Sequence, residues 1–403
     1  MAIGFNKQTV SPIAVDFGFD SLKLLQIAPA EPPQLVAAAA AQVDEEARAD
    51  PASRHAAFLE SLKLLLEKQP FKGRRAICSL PAYQTHIQNL QVNAGSTDSV
   101  DAQIEQHLRQ RLNVDPSRMV VRSFAVGTPG GGGSSRQEVV FIAASRDAVM
   151  RYIDIARKAK LDVVGMHCEP IALLRAFAYL YRRQGDELRT TCFIDIGAAD
   201  TKVVVAHGTH LAFAKAIHVA GDQFTKAFAL SRGIEPAEAR VLRRSGTDAP
   251  VRRESAAAPA ERNEIAVAGA SAGRSGIAAI EADQVPPPDS SEAAPPFAAV
   301  RSEAAGGDAL DCLTDELQMC LRYHQSAFPD RPIEKVVFLG GEGRHIEICQ
   351  KIARALRISA QIGDPLSRMT RPAKCKAPTG VNLREPQPGW AVPIGLCQCE
   401  ANL

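Results

Sequence analysis

The sequence predicts an α/β protein made of two related halves. Three observations lead to this prediction: strand-like and helix-like hydrophobic patterns alternate along the chain, one strand–turn–strand pattern occurs twice, and a glycine-rich turn joins a strand to a helix near the end. The length of 403 residues is enough for about two to three domains. The chain can therefore bury a sizeable core without disulfide bonds.

Alternation is clearest in the first half of the chain. In the segment 56–68, Phe58, Leu62 and Leu65 recur at the spacing of one helical face. Residues 13–15, 22–27, 76–80, 139–143 and 161–164 read as short apolar strands, and residues 56–68, 100–112, 146–159 and 170–183 read as helices.

A segment of different composition divides the second half. Residues 245–307 are rich in Ala, Pro, Ser, Glu and Arg and contain one aromatic residue, Phe297. Such a stretch cannot bury enough apolar surface to offset the entropy of ordering it. We expect a disordered insertion between a helix at 222–244 and a helix at 309–328.

The repeated pattern is a strand, Asp-x-Gly, and a second strand. Residues 13–23 read IAVDFGFDSLK and residues 192–202 read CFIDIGAADTK. Asp16 and Asp195 are 195 − 16 = 179 residues apart, a spacing of about one domain. Each half of the chain therefore opens with the same hairpin.

The residue types in these hairpins suit a polyphosphate. Gly18 and Gly197 allow the tight turn whose successive N–H groups form an anion site. Asp16 and Asp195, at the strand ends, are of the type that holds the water shell of Mg²⁺. Two such hairpins facing each other would clamp a triphosphate, although a single Asp-x-Gly is more often an ordinary turn.

Further residues of the hairpins are weaker candidates. Ser21 and Thr201 carry hydroxyl groups suited to phosphate, but packing on a strand face explains them equally well. Lys23 offers a point charge to a phosphate. Lys202 has the same offset and could add such a charge too; the alternative, at a period of two along the strand, is that it simply faces solvent.

A glycine cluster near the end is a third candidate element. Residues 336–344 read VVFLGGEGR and lead into a helical pattern at 346–358. Gly340, Gly341 and Gly343 would allow the backbone to approach an adenosine closely. A tight packing turn is the alternative, since many α/β folds have such a cluster.

These three elements, in this order, resemble the first phosphate loop, the second phosphate loop and the adenosine motif of the actin-like ATPase superfamily, which has a ribonuclease H-like fold. Within it the chain resembles most closely the PilM family of type IV pilus assembly proteins, a relative of the cell-division protein FtsA. The stretches that carry the resemblance are IAVDFGFDSLKLLQI at 13–27, CEPIALLRAF at 168–177, TCFIDIGAADTKVVVAHG at 191–208, LQMCLRY at 317–323 and WAVPIGL at 390–396.

The resemblance implies a domain division and a cofactor. The first actin-like half would span 1–188, with an inserted subdomain at about 95–165, and the second half 189–403. ATP and Mg²⁺ would lie between the halves, with turnover at most that of a slow ATPase. Asp16 and Asp195 would hold the metal, and Glu169 would orient water unless it is a surface carboxylate. The implied nucleotide-binding residues are Gly18, Phe19, Ser21, Lys23, Gly197, Ala198, Thr201, Gly340, Gly341 and Gly343.

The resemblance also implies partners. PilM proteins bind the short cytoplasmic N-terminal peptide of PilN, an inner-membrane protein, in a groove of the first half. Other pilus assembly proteins and a second copy of the chain are further expected partners.

The expected location is the cytoplasm, at the inner membrane through partners. The sequence contains no run of about 18 apolar residues, and its first residues do not read as a signal peptide.

Some residues depart from the family pattern. Phe19 and Asp20 stand where small residues are usual, and Asp20 would repel a triphosphate. Arg240, in the stretch 239–243, stands where the family often has an acidic residue that meets the ribose. Two alternatives therefore stay open: a small-molecule kinase on the same fold, and a structural adaptor that binds no nucleotide.

The composition excludes other classes. Lys and Arg number 47 against 45 Asp and Glu, and this net charge of +2 argues against a polybasic nucleic-acid binder. Aromatic residues make up 5%, which argues against a platform for stacking bases. The nine cysteines include no Cys-x-x-Cys pair, so we expect reduced thiols. No nucleic-acid partner is expected.

Overall fold

A computed structural model describes residues 10–93, 96, 98–127, 136–244, 277–280, 309–371 and 378–403. The insertion expected at 245–307 lies outside the described residues, apart from one short strand at 277–280. The strands are β1 Ile13–Phe17, β2 Ser21–Ala28, β3 Gln34–Gln42, β4 Arg75–Leu80, β5 Thr85–Asn93, β6 Met119–Gly127, β7 Arg136–Ser145, β8 Asp162–Cys168, β9 Thr190–Ile196, β10 Thr201–His207, β11 His210–Ile217, β12 Ile277–Ile280, β13 Lys335–Leu339 and β14 Ala360–Gly363. The helices are α1 Glu45–Ala49, α2 Pro51–Lys68, α3 Val100–Arg111, α4 Arg146–Lys158, α5 Glu169–Phe177, α6 Gly221–Arg232, α7 Pro236–Arg244, α8 Ala309–Ala327, α9 Ile346–Leu356 and α10 Ala391–Leu396.

Two sheets of the same topology form the centre of the molecule. The first has the strand order β3-β2-β1-β4-β8, and the second has the order β11-β10-β9-β13-β14, extended by β12. In both, the opening hairpin is antiparallel and its first strand pairs in parallel with the next strand of the sheet. The fold is therefore α/β with two related sheets, as the repeated hairpin predicts.

Successive side chains of the sheets point into different cores, which explains why their strands are apolar throughout. On β1, Val15 packs with residues of α2 and α4, whereas Ala14 belongs to a cluster that contains α5 and α10. The same cluster contains Phe193 of β9 and Val337 of β13. Helices α5 and α10 thus lie between the two sheets and are shared by them.

A third, smaller sheet is inserted in the first half. It has the order β5-β7-β6 and packs on α3 around Phe141. Its strands come from 85–145, whereas the sequence places an inserted subdomain at about 95–165; α4 and β8 belong to the first sheet's layer instead. Asn89 Nδ2 of β5 donates to the Ala214 carbonyl oxygen at 2.9 Å, so this sheet contacts the second half.

The edge strand β8 is covered by residues 400–403. The backbone N–H of Asn402 donates to the Val164 carbonyl at 3.0 Å. The Asn402 side chain accepts from the Met166 N–H at 2.9 Å and donates to the Met166 carbonyl at 3.0 Å. An asparagine amide thus pairs with the strand as a neighbouring peptide group would.

Two helix predictions need correction. The helix expected at 222–244 is interrupted, because Gly233 adopts a φ of +64° and ends α6 there. The helix expected at 170–183 ends at Phe177, and the chain continues through a short 3₁₀ turn. None of the helices in the described part of the chain has both the length and the apolar character needed to cross a bilayer.

Helices α5 and α10 cross at a point where only glycine fits. A Cβ atom at Gly395 of α10 would lie 1.8 Å from the Ala172 carbonyl oxygen of α5. We predict that Gly395→Ala lowers the free energy of unfolding by about 2–3 kcal/mol, because the shared helices must move apart. Chemical denaturation measures this loss. Gly389→Ala is the control, since a Cβ there meets nothing closer than 3.7 Å; equal losses in both variants would contradict the crossing argument.

Candidate nucleotide site

The first hairpin holds a buried carboxylate at the end of β1. Asp16 Oδ1 accepts a hydrogen bond from Ser79 Oγ at 3.0 Å, and Lys23 Nζ lies 3.7 Å from Asp16 Oδ2. Lys23 stands directly opposite Asp16 in the β1–β2 ladder. The ladder register therefore places a lysine beside this carboxylate.

The turn residues of the first hairpin contact the protein itself. The Phe19 ring lies 4.0 Å from the Arg54 guanidinium carbon and packs edge-on against Tyr83 at 5.4 Å. Ser21 Oγ donates to Asp20 Oδ1 at 3.2 Å. At Gly18, a Cβ would lie 2.9 Å from the Ser21 carbonyl oxygen, so this glycine is needed for the turn.

The second hairpin centres on a buried lysine. Lys202 Nζ lies 3.3 Å from Glu169 Oε2, 3.4 Å from Asp195 Oδ2 and 3.4 Å from Asp200 Oδ1. All four side chains are at most 7% exposed. The alternative in which Lys202 faces solvent is wrong, because β10 lies between β9 and β11 and is covered on both faces.

Glu169 begins α5 and is also buried, which corrects its alternative interpretation as a surface carboxylate. Its Oε2 accepts from the Ala82 N–H at 3.1 Å. Burial and the charges of Asp200, Asp16 and Asp195 outweigh the attraction of Lys202 and raise its pKa to about 8.

The pKa values of the neighbouring Asp195 and Lys202 are raised as well. Burial, together with Asp200 and Asp16, raises the pKa of Asp195 despite Lys202. Burial alone would lower the pKa of Lys202, but the surrounding carboxylates raise it, so its ammonium stays charged. Glu169 contacts Lys202 of the second hairpin and the Ala82 N–H, which follows Ser79, the residue that donates to Asp16 of the first hairpin; both hairpins therefore approach Glu169.

The remaining second-hairpin residues form hydrogen bonds to α6 and to the segment just before it. Thr201 Oγ1 is fully buried and donates to the Val219 carbonyl at 2.7 Å, so its hydroxyl proton is already used within the protein. The Gly197 and Ala198 carbonyls accept from the N–H groups of Gly221 and Asp222 at 3.1 and 2.8 Å. These first N–H groups of α6 thus bind backbone oxygens.

The three glycines of the cluster near the end of the chain have different surroundings. Gly340 has a φ of +85°, and a Cβ there would lie 2.2 Å from the Ile196 carbonyl oxygen. At Gly343, an added Cβ would lie 3.4 Å from Pro388 Cβ. Gly341, by contrast, is exposed, and a Cβ there would meet no heavy atom within 4 Å. Of the three glycines expected to receive adenosine, only Gly341 borders open space.

Ion pairs connect α1 and the first hairpin to α6 and α7. Arg240 Nε lies 2.9 Å from Glu45 Oε2, and its Nη1 lies 2.8 Å from Asp222 Oδ1. Arg48 also pairs with Asp222. The arginine at position 240, which replaces the acidic residue common in the resembling family, is thus bound to acidic groups of both halves.

Arg244 of α7 forms a further ion pair next to these. We call Arg48, Arg240 and Arg244 together the cross-half arginines. Arg244 Nη2 lies 2.9 Å from Asp20 Oδ2. Burial of Asp20 opposes its ionisation, but Lys23, Arg244 and Arg48 outweigh this and lower its pKa. The carboxylate that would repel a triphosphate is therefore neutralised by the protein.

The carboxylates expected to hold Mg²⁺ are Asp16 and Asp195. Mg²⁺ favours carboxylates that are free to face its water shell. Lys23 pairs with Asp16, and Lys202 pairs with Asp195, so each expected metal ligand already has a cation of the protein beside it. Across the described residues, no three His, Cys, Asp or Glu side chains are arranged to hold an ion. The donor set in this arrangement does not fit Mg²⁺.

The raised pKa of Glu169 predicts a pH-dependent stability. In the folded protein its pKa is about 8, above the ordinary 4.5, so this carboxyl contributes stability below pH 4.5 that is lost as pH rises toward 8. Glu169→Gln keeps an oxygen acceptor for the Ala82 N–H but cannot ionise.

We expect the stability of Glu169→Gln, relative to the unchanged protein, to rise with pH between these values by up to about 1.4 kcal/mol per unit. Urea denaturation at a series of pH values measures the difference. A difference that stays constant from pH 5 to pH 8 would show that Glu169 ionises normally.

The chain is similar to one protein family and to several solved structures. The PilM family of type IV pilus assembly proteins matches the chain over residues 14–254, more than half of its length. A solved PilM–PilN type IV pilus biogenesis complex superposes with a TM-score of 0.66 at 19% identity, covering 97% of each chain. The ethanolamine utilization protein EutJ from Carboxydothermus hydrogenoformans superposes with a TM-score of 0.49 at 13% identity, covering 97% of this chain and 89% of EutJ. No curated protein sequence matches. The chain therefore has the actin-like fold and belongs to the PilM family of type IV pilus assembly proteins.

Proposed function

We propose that this chain is a cytoplasmic adaptor of a type IV pilus assembly machine that holds a PilN-like inner-membrane protein by its short cytoplasmic peptide. The family match and the similarity to a solved PilM–PilN complex support the partner. The peptide would bind in a groove of the first half. The chain would then reach the inner membrane through this partner.

The observation that carries the adaptor proposal is the set of cross-half arginines. Arg240 bridges Glu45 of the first half and Asp222 of the second, and Arg244 adds a pair with Asp20. These contacts join the halves through the protein's own charges. Such a protein can keep the shape of a peptide groove without a bound nucleotide.

We also propose that the first half of the chain ends at residue 188 and that the second half begins at residue 189. The strands of the first sheet lie within 13–168 and those of the second within 190–363, and α5 leads from one to the other. Helices α5 and α10 pack against both sheets, and the cross-half arginines form ion pairs between the halves. Together these contacts fix the relative position of the halves.

A second candidate is a nucleotide-dependent switch. It is favoured by the two hairpins, which both approach Glu169, and by Gly341, which borders open space. A nucleotide that touched both halves would change their closure only by binding one arrangement better than the other. It would also have to fit beside Lys202 and the cross-half arginines, which is why the adaptor is our first proposal.

We predict that a fluorescent peptide copied from the cytoplasmic N-terminus of a PilN-like protein binds the purified chain without nucleotide. Anisotropy titrations with and without ATP and Mg²⁺ should give dissociation constants that agree within about threefold, a difference below 1 kcal/mol. A peptide of scrambled sequence is the control.

The other outcomes separate the candidates. Peptide binding that appears only with ATP and Mg²⁺ would select the switch. Binding of ATP, measured by calorimetry, that weakens in both Asp16→Ala and Asp195→Ala would assign the hairpins to the nucleotide. Absence of peptide binding under every condition would remove the adaptor proposal.

A further inference from the structure

The environment of Lys202 differs from that of an ordinary ion pair. Its ammonium contacts carboxylates from three elements: Glu169 at the start of α5, Asp195 at the end of β9, and Asp200 in the turn that follows. Lys202 stands opposite Asp195 in the β9–β10 ladder, so the strand register fixes its place. Within the described part of the chain, the buried Asp200 Oδ2 has no hydrogen-bond partner.

Other lysines of the protein provide a comparison. Lys23, at the same offset in the first hairpin, contacts Asp16 at 3.7 Å and is 21% exposed. Lys215 contacts Glu316 at 2.7 Å and is 25% exposed. Lys202 is 7% exposed and contacts three carboxylates. Lys202 is thus more deeply buried, and contacts more carboxylates, than either of these two lysines.

The chemistry of the enclosure is that of a hydrated divalent cation. The two aspartates alone exceed the single charge of one ammonium, and within the described residues the Asp200 oxygen without a hydrogen-bond partner leaves acceptor capacity unused. Mg²⁺ and Mn²⁺ bind through carboxylates while keeping several waters, so they reach oxygens that are spaced more widely than direct ligands. An ammonium and a divalent ion cannot both lie among these three groups, because like charges repel strongly where water is excluded.

We propose that Lys202 is a built-in replacement for the divalent cation at the second hairpin, and that Glu169, Asp195 and Asp200 form a latent divalent-cation site that opens when the lysine side chain is removed. The chain then holds its two-hairpin arrangement without Mg²⁺. This inference concerns the carboxylates alone and does not depend on the partner peptide.

The test is Mn²⁺ and Mg²⁺ binding by the full chain, measured by calorimetry and by the cation-dependent shift of the melting temperature at constant ionic strength. The unchanged protein should show no cation-dependent shift. Lys202→Ala should bind Mn²⁺ about tenfold or more tightly than the unchanged protein and should melt at a higher temperature as Mn²⁺ is added. Lys215→Ala is the matched control and should behave as the unchanged protein.

A second pair of variants covers the case in which Lys202→Ala folds poorly because its carboxylates repel one another. Lys202→Ala with Glu169→Gln replaces one of the three acidic groups by a neutral amide, keeps Asp195 and Asp200, and should still gain Mn²⁺ binding. Lys202→Ala with Asp195→Asn should lose it. These two variants distinguish a site at these residues from a general effect of an emptied cavity.

The proposal is overturned by any of three results. The unchanged protein binds Mn²⁺ as tightly as Lys202→Ala; or both Lys202→Ala and its Glu169→Gln derivative gain no Mn²⁺ binding; or neither of these folds even when Mn²⁺ is present. Folding of Lys202→Ala that occurs only with Mn²⁺ would support the proposal directly, because the ion would then replace the missing ammonium.

Discussion

The ammonium group of Lys202 and the three carboxylates around it constrain the centre of this protein. Glu169 starts the helix that both sheets share, and Asp195 and Asp200 flank the turn of the second hairpin. Removing a charge from water is costly, and the cost is offset only when opposite charges are close and well placed. The position of the hairpin relative to α5 is therefore tied to one lysine.

Much of the fold can be predicted from the sequence because its signals are local. The pattern of Asp16 and Gly18 recurs at Asp195 and Gly197, and it correctly indicates two sheets that each open with a hairpin. Helices such as α2 and α9 follow from apolar spacing alone. The break at Gly233 was missed, since one glycine within a helical pattern does not say which conformation it adopts.

The site itself was less predictable, because its contacts join distant parts of the chain. Lys202 meets Glu169, which lies on another element, and strand periodicity alone leaves open whether the lysine faces solvent. The signal that was available is the match between Lys202 and Lys23, which share an offset from an aspartate. Gly340 shows the same limit: it accommodates the Ile196 carbonyl, whereas the sequence only indicated that something comes close.

The pairing of Asn402 with β8 has a consequence for handling the protein. A strand with free N–H and C=O groups on one side is a template for another chain, and soluble proteins cover or interrupt such strands. Here one asparagine amide and two backbone N–H groups, those of Asn402 and Leu403, cover the strand at Val164 and Met166. A change that displaces these residues would leave the outer edge of β8 unpaired, and aggregation during purification would then report the lost cover and not a defect of the candidate nucleotide site.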